Sequence, residues 1–268
     1  MRLGLGSSLA AVLGACVALA ACATVPPPPP PPVEAGIVVP PYIVDALADP
    51  GRPKADRERD GARKPGETLA WAGVRPGMKV VDLIPGGGYF TSLFSKIVGP
   101  KGHVYAYVPD ELTKLAKRPP SVNAIAADPN YRNVSVILRM LGKFGAPEKV
   151  DMVFTAQNYH DMHDSFMGPA DLAVVNRAVF ASLKPGGVYI VIDHSAPPGS
   201  GLSDTESLHR IDAEAVKREV LEAGFIFEGE TRILRNPKDD RSLSVFDPKI
   251  RGNTDQFAYK FRKPRSAR

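Results

Sequence analysis

Apolar runs and amphipathic segments alternate along most of the chain, from residue 42 to residue 264. A run of five or six apolar residues is typical of a strand buried on both faces of a parallel sheet, whereas apolar residues spaced three and four apart mark one face of a helix. This pattern predicts strands at residues 79–84, 103–108, 133–139, 150–155 and 188–194, with residues 225–234 and 256–262 as a closing antiparallel pair.

The segments between these strands have the spacing of helices. Helices are predicted at residues 42–48, 55–63, 64–72, 89–98, 170–183 and 208–221. Regular alternation of strand and helix indicates an α/β fold with a doubly wound, mostly parallel sheet. The connection at residues 235–255 is long for a hairpin and rich in acids and bases, so we expect it to be either functional or mobile.

The start of the chain has the layout of a secretory signal, with Arg2 before an apolar run at residues 3–21. The stretch L-A-A-C at residues 19–22 resembles the lipobox of bacterial lipoproteins, which implies lipidation of Cys22. Cys16 fits less well because it leaves a shorter apolar region, and a transmembrane anchor is the less favoured alternative. Prolines at residues 26–32 predict an extended spacer.

These features predict four parts. They are a signal peptide at 1–21, a proline-rich linker at 22–41, a folded domain at 42–264 and a tail at 265–268. We therefore expect a bacterial envelope protein that faces the periplasm and is held at the membrane by its lipid anchor.

Net charge and cysteine content exclude only a few classes of function. The 34 basic and 29 acidic residues give a net charge of +5, and removal of Arg2 leaves 33 − 29 = +4. This mild surplus fits an anionic membrane surface and gives no sign of nucleic-acid binding. Both cysteines precede residue 42, so the domain has no disulfide, thiol nucleophile or cysteine metal ligand.

The strongest motif is the glycine turn after the first predicted strand. Gly86, Gly87 and Gly88 join that strand to a helix that begins at Tyr89, and amide groups at the start of a helix attract anions. Residues 82–88 resemble the D-x-G-x-G-x-G motif of class I S-adenosylmethionine-dependent methyltransferases, with Ile84 at the first glycine. The phrase L-K-P-G-G at residues 183–187 resembles a second motif of that family.

Other segments are similar to a group of secreted proteins known only as predicted methyltransferases. They are R-K-P at residues 63–65, P-G-G-G-Y at 85–89, Y-H-D at 159–161 and V-F-D-P at 245–248. The resemblance covers nearly everything after Val39 and implies the class I methyltransferase fold, with S-adenosylmethionine as cofactor and an unidentified small molecule as acceptor. The cofactor-binding residues that it implies are Asp82, Pro85, Gly86, Gly87, Gly88, Tyr89 and Asn158.

The end of the second predicted strand departs from the family pattern. Val108 stands where the family has an acidic residue for the ribose hydroxyls. Asp110 and Glu111 replace that acid only if the turn folds back, and otherwise lie in the first turn of the next helix. Residues 140–144 also contain no acid or amide of the kind that reads adenine in the family.

A second hypothesis is therefore a module that keeps the fold and binds another small molecule without methyl transfer. The expected compartment favours this alternative, because S-adenosylmethionine is made in the cytoplasm.

The densest polar cluster, residues 156–164, follows the fourth predicted strand at the edge where parallel sheets bind ligands. We predict a catalytic set of His160, Asp161 and His194, in which a histidine acts as general base and Asp161 or Asp193 orients its ring. In other readings these histidines and His209 bind a metal with the same aspartates, or only hydrogen-bond loop backbone.

No metal site is predicted from the sequence. On a surface loop, His160→Ala is expected to cost no more than about 1 kcal/mol of stability.

Overall fold

A seven-stranded sheet forms the centre of the computed structural model, which describes residues 1, 36–168 and 170–265. The predicted signal peptide beyond Met1, Cys22 and most of the linker lie outside the described residues, as do Pro169 and residues 266–268. Apart from Met1, the described residues belong to one of the two units into which the chain divides, Glu34–Arg268.

The strands are β1 Lys79–Leu83, β2 His103–Pro109, β3 Val134–Arg139, β4 Val150–Ala156, β5 Leu183–His194, β6 Ile226–Thr231 and β7 Gln256–Arg262. Their order across the sheet is β3-β2-β1-β4-β5-β7-β6, so the topological switch point lies between β1 and β4. The five strands from β3 to β5 are parallel, and β7 is antiparallel to both β5 and β6. The predicted doubly wound sheet with an antiparallel closing strand is confirmed.

Helices cover both faces of the sheet, because the central strands are apolar on both sides. The helices of the described residues are α1 Pro41–Leu47, α2 Lys54–Arg57, α3 Asp60–Arg63, α4 Pro65–Ala72, α5 Tyr89–Val98, α6 Asp110–Ala116, α7 Asn123–Ala127, α8 Leu172–Ser182, α9 Thr205–Leu208 and α10 Ala213–Glu222. One core cluster joins α1, α4 and α5 to the sheet, and another joins α8 and α10 to the opposite face.

Two predicted helices are interrupted in the structure. Residues 55–63 form α2 and α3 with a break between them. The helix predicted at residues 208–221 begins only at Ala213, where the Asp212 side chain caps it by accepting a hydrogen bond from the Glu214 amide at 3.1 Å. Ile211, which fits helical spacing, instead forms a bridge with Ser195 at the end of β5.

Within the described residues, none of the helices combines the length and the apolar character needed to cross a membrane.

Candidate active site

The glycine turn after β1 has left-handed backbone at alternate positions. Gly86 and Gly88 have φ values of 57° and 87°. Ile84, which replaces the first glycine of the motif, also has a positive φ of 60°, although β-branched residues rarely adopt it. Ile84 therefore preserves the backbone shape of a glycine, and such locally strained residues are concentrated at functional sites.

The three glycines of the turn differ in what surrounds them. A Cβ atom built on Gly86 or Gly87 would meet no atom within 4 Å, whereas one on Gly88 would lie 2.2 Å from Cδ1 of Ile125. Gly86 and Gly87 thus leave bare backbone facing open space. Gly88 is needed for packing against α7 and does not line the cavity beside the turn.

Asp82 connects the end of β1 to α5, the helix after the glycine turn, through a hydrogen bond. Its carboxylate accepts a hydrogen bond of 2.6 Å from the Thr91 hydroxyl of α5. Burial raises the pKa of Asp82 to about 7, against the opposing effects of Thr91 and Arg63. Asp82 is therefore a buried support of the turn that also forms part of the cavity wall.

Residues 52–63 form a charged cover over the turn. The buried Arg52 guanidinium donates to both carboxylate oxygens of Asp60 at 2.8 and 2.7 Å, and the Tyr89 hydroxyl donates to Asp60 at 2.6 Å. The guanidinium groups of Arg59 and Arg63 lie 4.9 and 4.7 Å from the Tyr89 ring centroid. Tyr89, predicted to bind the cofactor, thus holds the cover in place with its hydroxyl and ring.

Two cavities lie at the carboxyl edge of the sheet and share Arg59, Arg63 and Gln157 as lining. The donor cavity, our name for the smaller one, has a volume of about 210 Å³ and is lined by Asp82, Pro85, Gly86, Gly87 and Asn158 among others. The acceptor cavity, the larger one, has about 390 Å³ and is lined by His194, Phe246, Arg251 and Thr254 among others. The carboxyl edge is where sheets of this topology bind ligands.

Asn158 connects the ends of β1 and β4, and its neighbour Gln157 binds Arg63. The Asn158 amide group donates to the backbone oxygens of Ile84 and Ala156 at 3.0 and 2.6 Å. Gln157, another non-glycine residue with a positive φ, accepts a 2.7 Å hydrogen bond from Arg63. Arg63 is therefore fixed at the boundary of the two cavities.

His160 is buried, which contradicts the expectation of a surface loop. It lies in a short 3₁₀ helix, His160–His163, and only 3% of its surface is exposed. Its Nδ1 is 2.8 Å from Oδ1 of Asp193, and its backbone amide donates to Oδ2 of the same carboxylate at 2.8 Å. Its Nε2 is 3.1 Å from Oδ1 of Asp161.

This pairing decides the protonation of His160. Burial alone would lower its pKa, but Asp193 and Asp161 raise it to about 10. At neutral pH the imidazole ring is therefore protonated on both nitrogens and cannot accept a further proton. Since Asp193 would lose its ring partner, His160→Ala should cost well over the 1 kcal/mol expected from the sequence.

His194 is the predicted catalytic histidine that lines a cavity. Its Nδ1 is 2.7 Å from the Thr254 hydroxyl, and burial lowers its pKa to about 4, so the ring is neutral at physiological pH. The rings of His194 and His160 have centroids 6.0 Å apart. Thus His160 lies next to His194, but neither His160 nor Asp161 is part of the lining of either cavity.

The end of β2 offers no acid to either cavity. Val108 is buried with Ala106 and Val122, and Asp110 and Glu111 lie in the first turn of α6. Glu111 accepts from the backbone amide of Leu141 at 3.3 and 3.2 Å. The alternative in which these acids fold back toward the turn is therefore wrong.

Sequence reasoning missed several residues of the site. Residues 55–63 were predicted only as a helix. Gln157 in the polar cluster and Thr254 in the long connection were not singled out, because their partners lie far along the chain. Arg63 and Gln157 are 94 residues apart, and His194 and Thr254 are 60 apart.

Comparison with known proteins identifies the fold. The structure aligns with an S-adenosylmethionine-dependent methyltransferase from Mesorhizobium loti at a TM-score of 0.53 and 17% identity, covering 76% of this chain and 100% of that one. It also aligns with the glycopeptide N-methyltransferase MtfA in complex with sinefungin at a TM-score of 0.52 and 14% identity, covering 85% and 100%. The fold is that of the class I methyltransferases.

Curated methyltransferases also match the sequence of this methyltransferase-fold chain. The ubiquinone/menaquinone biosynthesis C-methyltransferase UbiE of Shewanella woodyi is 33% identical over 132 residues, which cover 48% of each protein. The UbiE protein of Vibrio cholerae is 28% identical over 150 residues, covering 53% of this chain and 52% of that protein. The chain thus spans about half the length of the curated relatives that it matches. No family model matches it.

Proposed function

We propose that the chain binds S-adenosylmethionine at its glycine turn and transfers the methyl group to a small molecule in the acceptor cavity. The observation that carries this proposal is the open backbone at Gly86 and Gly87, which faces a cavity at the carboxyl edge of a methyltransferase-fold sheet. The names of the matching relatives, which are C-methyltransferases, support the same chemistry.

The groups around the donor cavity suit the amino-acid end of the cofactor. Amide groups of the glycine turn and the Arg63 guanidinium are donors for a carboxylate, and the side-chain oxygen of Asn158 is an acceptor for an ammonium group. When bound, S-adenosylmethionine supplies a methyl group on a positively charged sulfur. The chain itself contributes by holding donor and acceptor in fixed positions and by covering them against water.

The donor cavity is smaller than the ~300 Å³ at which ligand pockets usually begin. Because Arg59 and Arg63 line both cavities, a shift of these two long side chains would join them. In this proposal the cover opens for the cofactor and closes again over it.

The acceptor cavity combines positive charge with an aromatic wall. Arg59 and Arg251 bring two guanidinium groups, and Phe246 brings an apolar ring whose centroid is 6.0 Å from the Arg251 guanidinium. His194 is the catalytic candidate that would contact the acceptor, whereas His160 and Asp161 would act from behind it. This lining favours an acceptor that carries both an apolar part and a negative charge.

Calorimetric titration with S-adenosylmethionine and with its demethylated product tests the proposal. A dissociation constant below ~100 μM, or about −5.5 kcal/mol, is expected for at least one of them. Arg63→Gln removes the guanidinium from the shared wall and should weaken both ligands about tenfold or more. No heat of binding at millimolar ligand would contradict the proposal.

A small-molecule-binding module without methyl transfer is the second candidate. The buried, apolar Val108 favours it, because no carboxylate from the end of β2 or the start of α6 lines either cavity to bind ribose hydroxyls. Such a module would bind neither S-adenosylmethionine nor its product in the same titration. It would still bind some other ligand over Gly86 and Gly87.

We also propose that the protein is exported and lipid-anchored through Cys22 at the periplasmic side of a bacterial envelope. The support is the pattern at residues 19–22 together with the proline run behind it. Cys22→Ser should shift the protein from the membrane fraction to the soluble fraction, and Cys16→Ser is the matched control that should leave it in place. Retention of the Cys22→Ser protein in membranes as a lipid-modified species would contradict the assignment.

A further inference from the structure

Two histidines and an aspartate converge beside the acceptor cavity. Nε2 of His160 and Nδ1 of His209 lie 3.1 and 3.5 Å from the same oxygen, Oδ1 of Asp161. One ligand atom from each of the three residues falls within 4.8 Å of the other two. The three come from the 3₁₀ helix His160–His163 and from the residue that follows α9.

Two of the three ligand–ligand distances are close to the edge of a metal coordination shell, and the third is no longer than 4.8 Å. Ligand atoms about 2.0–2.1 Å from a tetrahedral Zn²⁺ ion lie roughly 3.3 Å from one another. The two measured distances of 3.1 and 3.5 Å lie on either side of this value. Two imidazoles and one carboxylate are also the ligand types that divalent transition metals prefer.

Asp193 supports His160 in the way that outer carboxylates support metal-bound histidines. It holds Nδ1 at 2.8 Å from a fully buried position, which turns Nε2 toward Asp161. A carboxylate on the far nitrogen fixes the ring and makes the near nitrogen a stronger ligand, and the bound ion displaces the proton that Nε2 carries in its absence.

Asp164 is a buried carboxyl group next to these three residues. Only 2% of its surface is exposed, and neither carboxylate oxygen has a hydrogen-bond partner among the described residues. The Thr205 hydroxyl lies near this carboxyl group, and His160, Asp161 and His209 are the titratable side chains around it.

His209 reaches the cluster from an uncommon backbone conformation. It has a left-handed φ of 55°, which is uncommon outside glycine, and its ring packs edge-on against Phe246 with centroids 4.8 Å apart. The side chains of His209 and Asp161 are 24% and 21% exposed. An ion could therefore enter from solvent, and a fourth position would remain for water.

We propose that His160, Asp161 and His209 bind one divalent transition-metal ion of the Zn²⁺ class, with Asp193 holding His160 and a coordination position left open to solvent. The site lies next to the acceptor cavity through the contacts of His160 with His194 and of His209 with Phe246. The proposal does not depend on methyl transfer, because the ligands lie outside both cavities.

The test is metal binding by the full chain after removal of metal with a chelator. Titration with Zn²⁺ should show one ion per chain, and Co²⁺ in its place should give the visible absorption of a low-symmetry four-coordinate site. His209→Asn should weaken Zn²⁺ about tenfold or more, because asparagine tolerates a left-handed backbone but is a poor ligand for Zn²⁺.

Asp161→Asn provides a second ligand variant, in case the first fails to fold. His163→Gln is the matched control, since His163 belongs to the same 3₁₀ helix but pairs with Glu219. It should leave Zn²⁺ affinity unchanged. No stoichiometric binding by the wild-type chain, or equal affinity in the folded ligand variants, would overturn the proposal.

Discussion

Asp82 is a buried carboxyl group whose pKa is changed by folding. Its pKa rises from 3.8 to about 7 because burial outweighs the hydrogen bond from Thr91 and the charge of Arg63. A raised carboxyl pKa means that the protonated form is favoured by folding. Its contribution to stability is full below about pH 4 and is lost as the pH rises through 7.

Asp82→Asn should therefore flatten the dependence of stability on pH. The rise of the pKa from 3.8 to about 7 corresponds to as much as ~4 kcal/mol in the free energy of unfolding between low and high pH. The asparagine oxygen can still accept a hydrogen bond from Thr91. Urea unfolding at pH 5 and pH 8 measures the change. An unchanged difference between the two pH values in the variant would show that another group is responsible.

The glycine turn separates binding from stability at neighbouring positions. Gly87 has open space around its Cβ direction and no left-handed φ, so Gly87→Val should change stability by less than about 1 kcal/mol while filling the space left for a ligand. Gly88→Ala, the matched variant, combines a φ of 87° with the clash against Ile125 and should cost more than about 1 kcal/mol. Unfolding and S-adenosylmethionine titration of both variants check this. Wild-type affinity in Gly87→Val would place the ligand elsewhere.

At the scale of elements, the charged cover of residues 52–63 depends on one carboxylate. Asp60 compensates the buried Arg52 and accepts from Tyr89. Asp60→Ala would leave Arg52 uncompensated and should cost about 3 kcal/mol, whereas Tyr89→Phe removes one hydrogen bond and should cost about 1 kcal/mol. Denaturant unfolding distinguishes them. Equal costs would mean that the Arg52 pair contributes little to the cover.

The sheet could be predicted from the sequence because each strand has its own run of apolar residues. Residues such as Val80, Val81, Val153 and Ile190 are apolar regardless of which face they cover, so each run signals a strand by itself. The helix predicted from residue 208 was wrong at its start because the spacing of Ile211 is ambiguous, and its pairing with Ser195 is a contact between distant parts of the chain.

The sequence predicted where the site lies on the sheet, but not the contacts between its residues. The glycine turn after β1 and the polar residues after β4 indicated the correct edge of the sheet, but no local pattern reveals that His160 is buried against Asp193, which lies 33 residues further on. The same holds for Ile84, whose left-handed backbone follows from the turn around it and not from its own preference.

At the scale of the whole molecule, the long connection at residues 235–255 completes the site. It is held by the buried Arg210, which donates to both oxygens of Asp239 at 2.9 and 3.1 Å. The connection brings Thr254 to His194 and Phe246 to His209. The functional reading of this segment thus has a structural basis in the wall that it forms for the acceptor cavity.

We propose above that a methyl donor occupies the cavity over Gly86 and Gly87. A crystal structure of the chain grown with S-adenosylhomocysteine at saturating concentration is the most direct test. We expect density for the amino-acid end of the ligand against the glycine turn, with its carboxylate on the Arg63 guanidinium and the cover displaced from its present position. Ligand density at another place on the molecule, or an empty turn at saturating concentration, would contradict it.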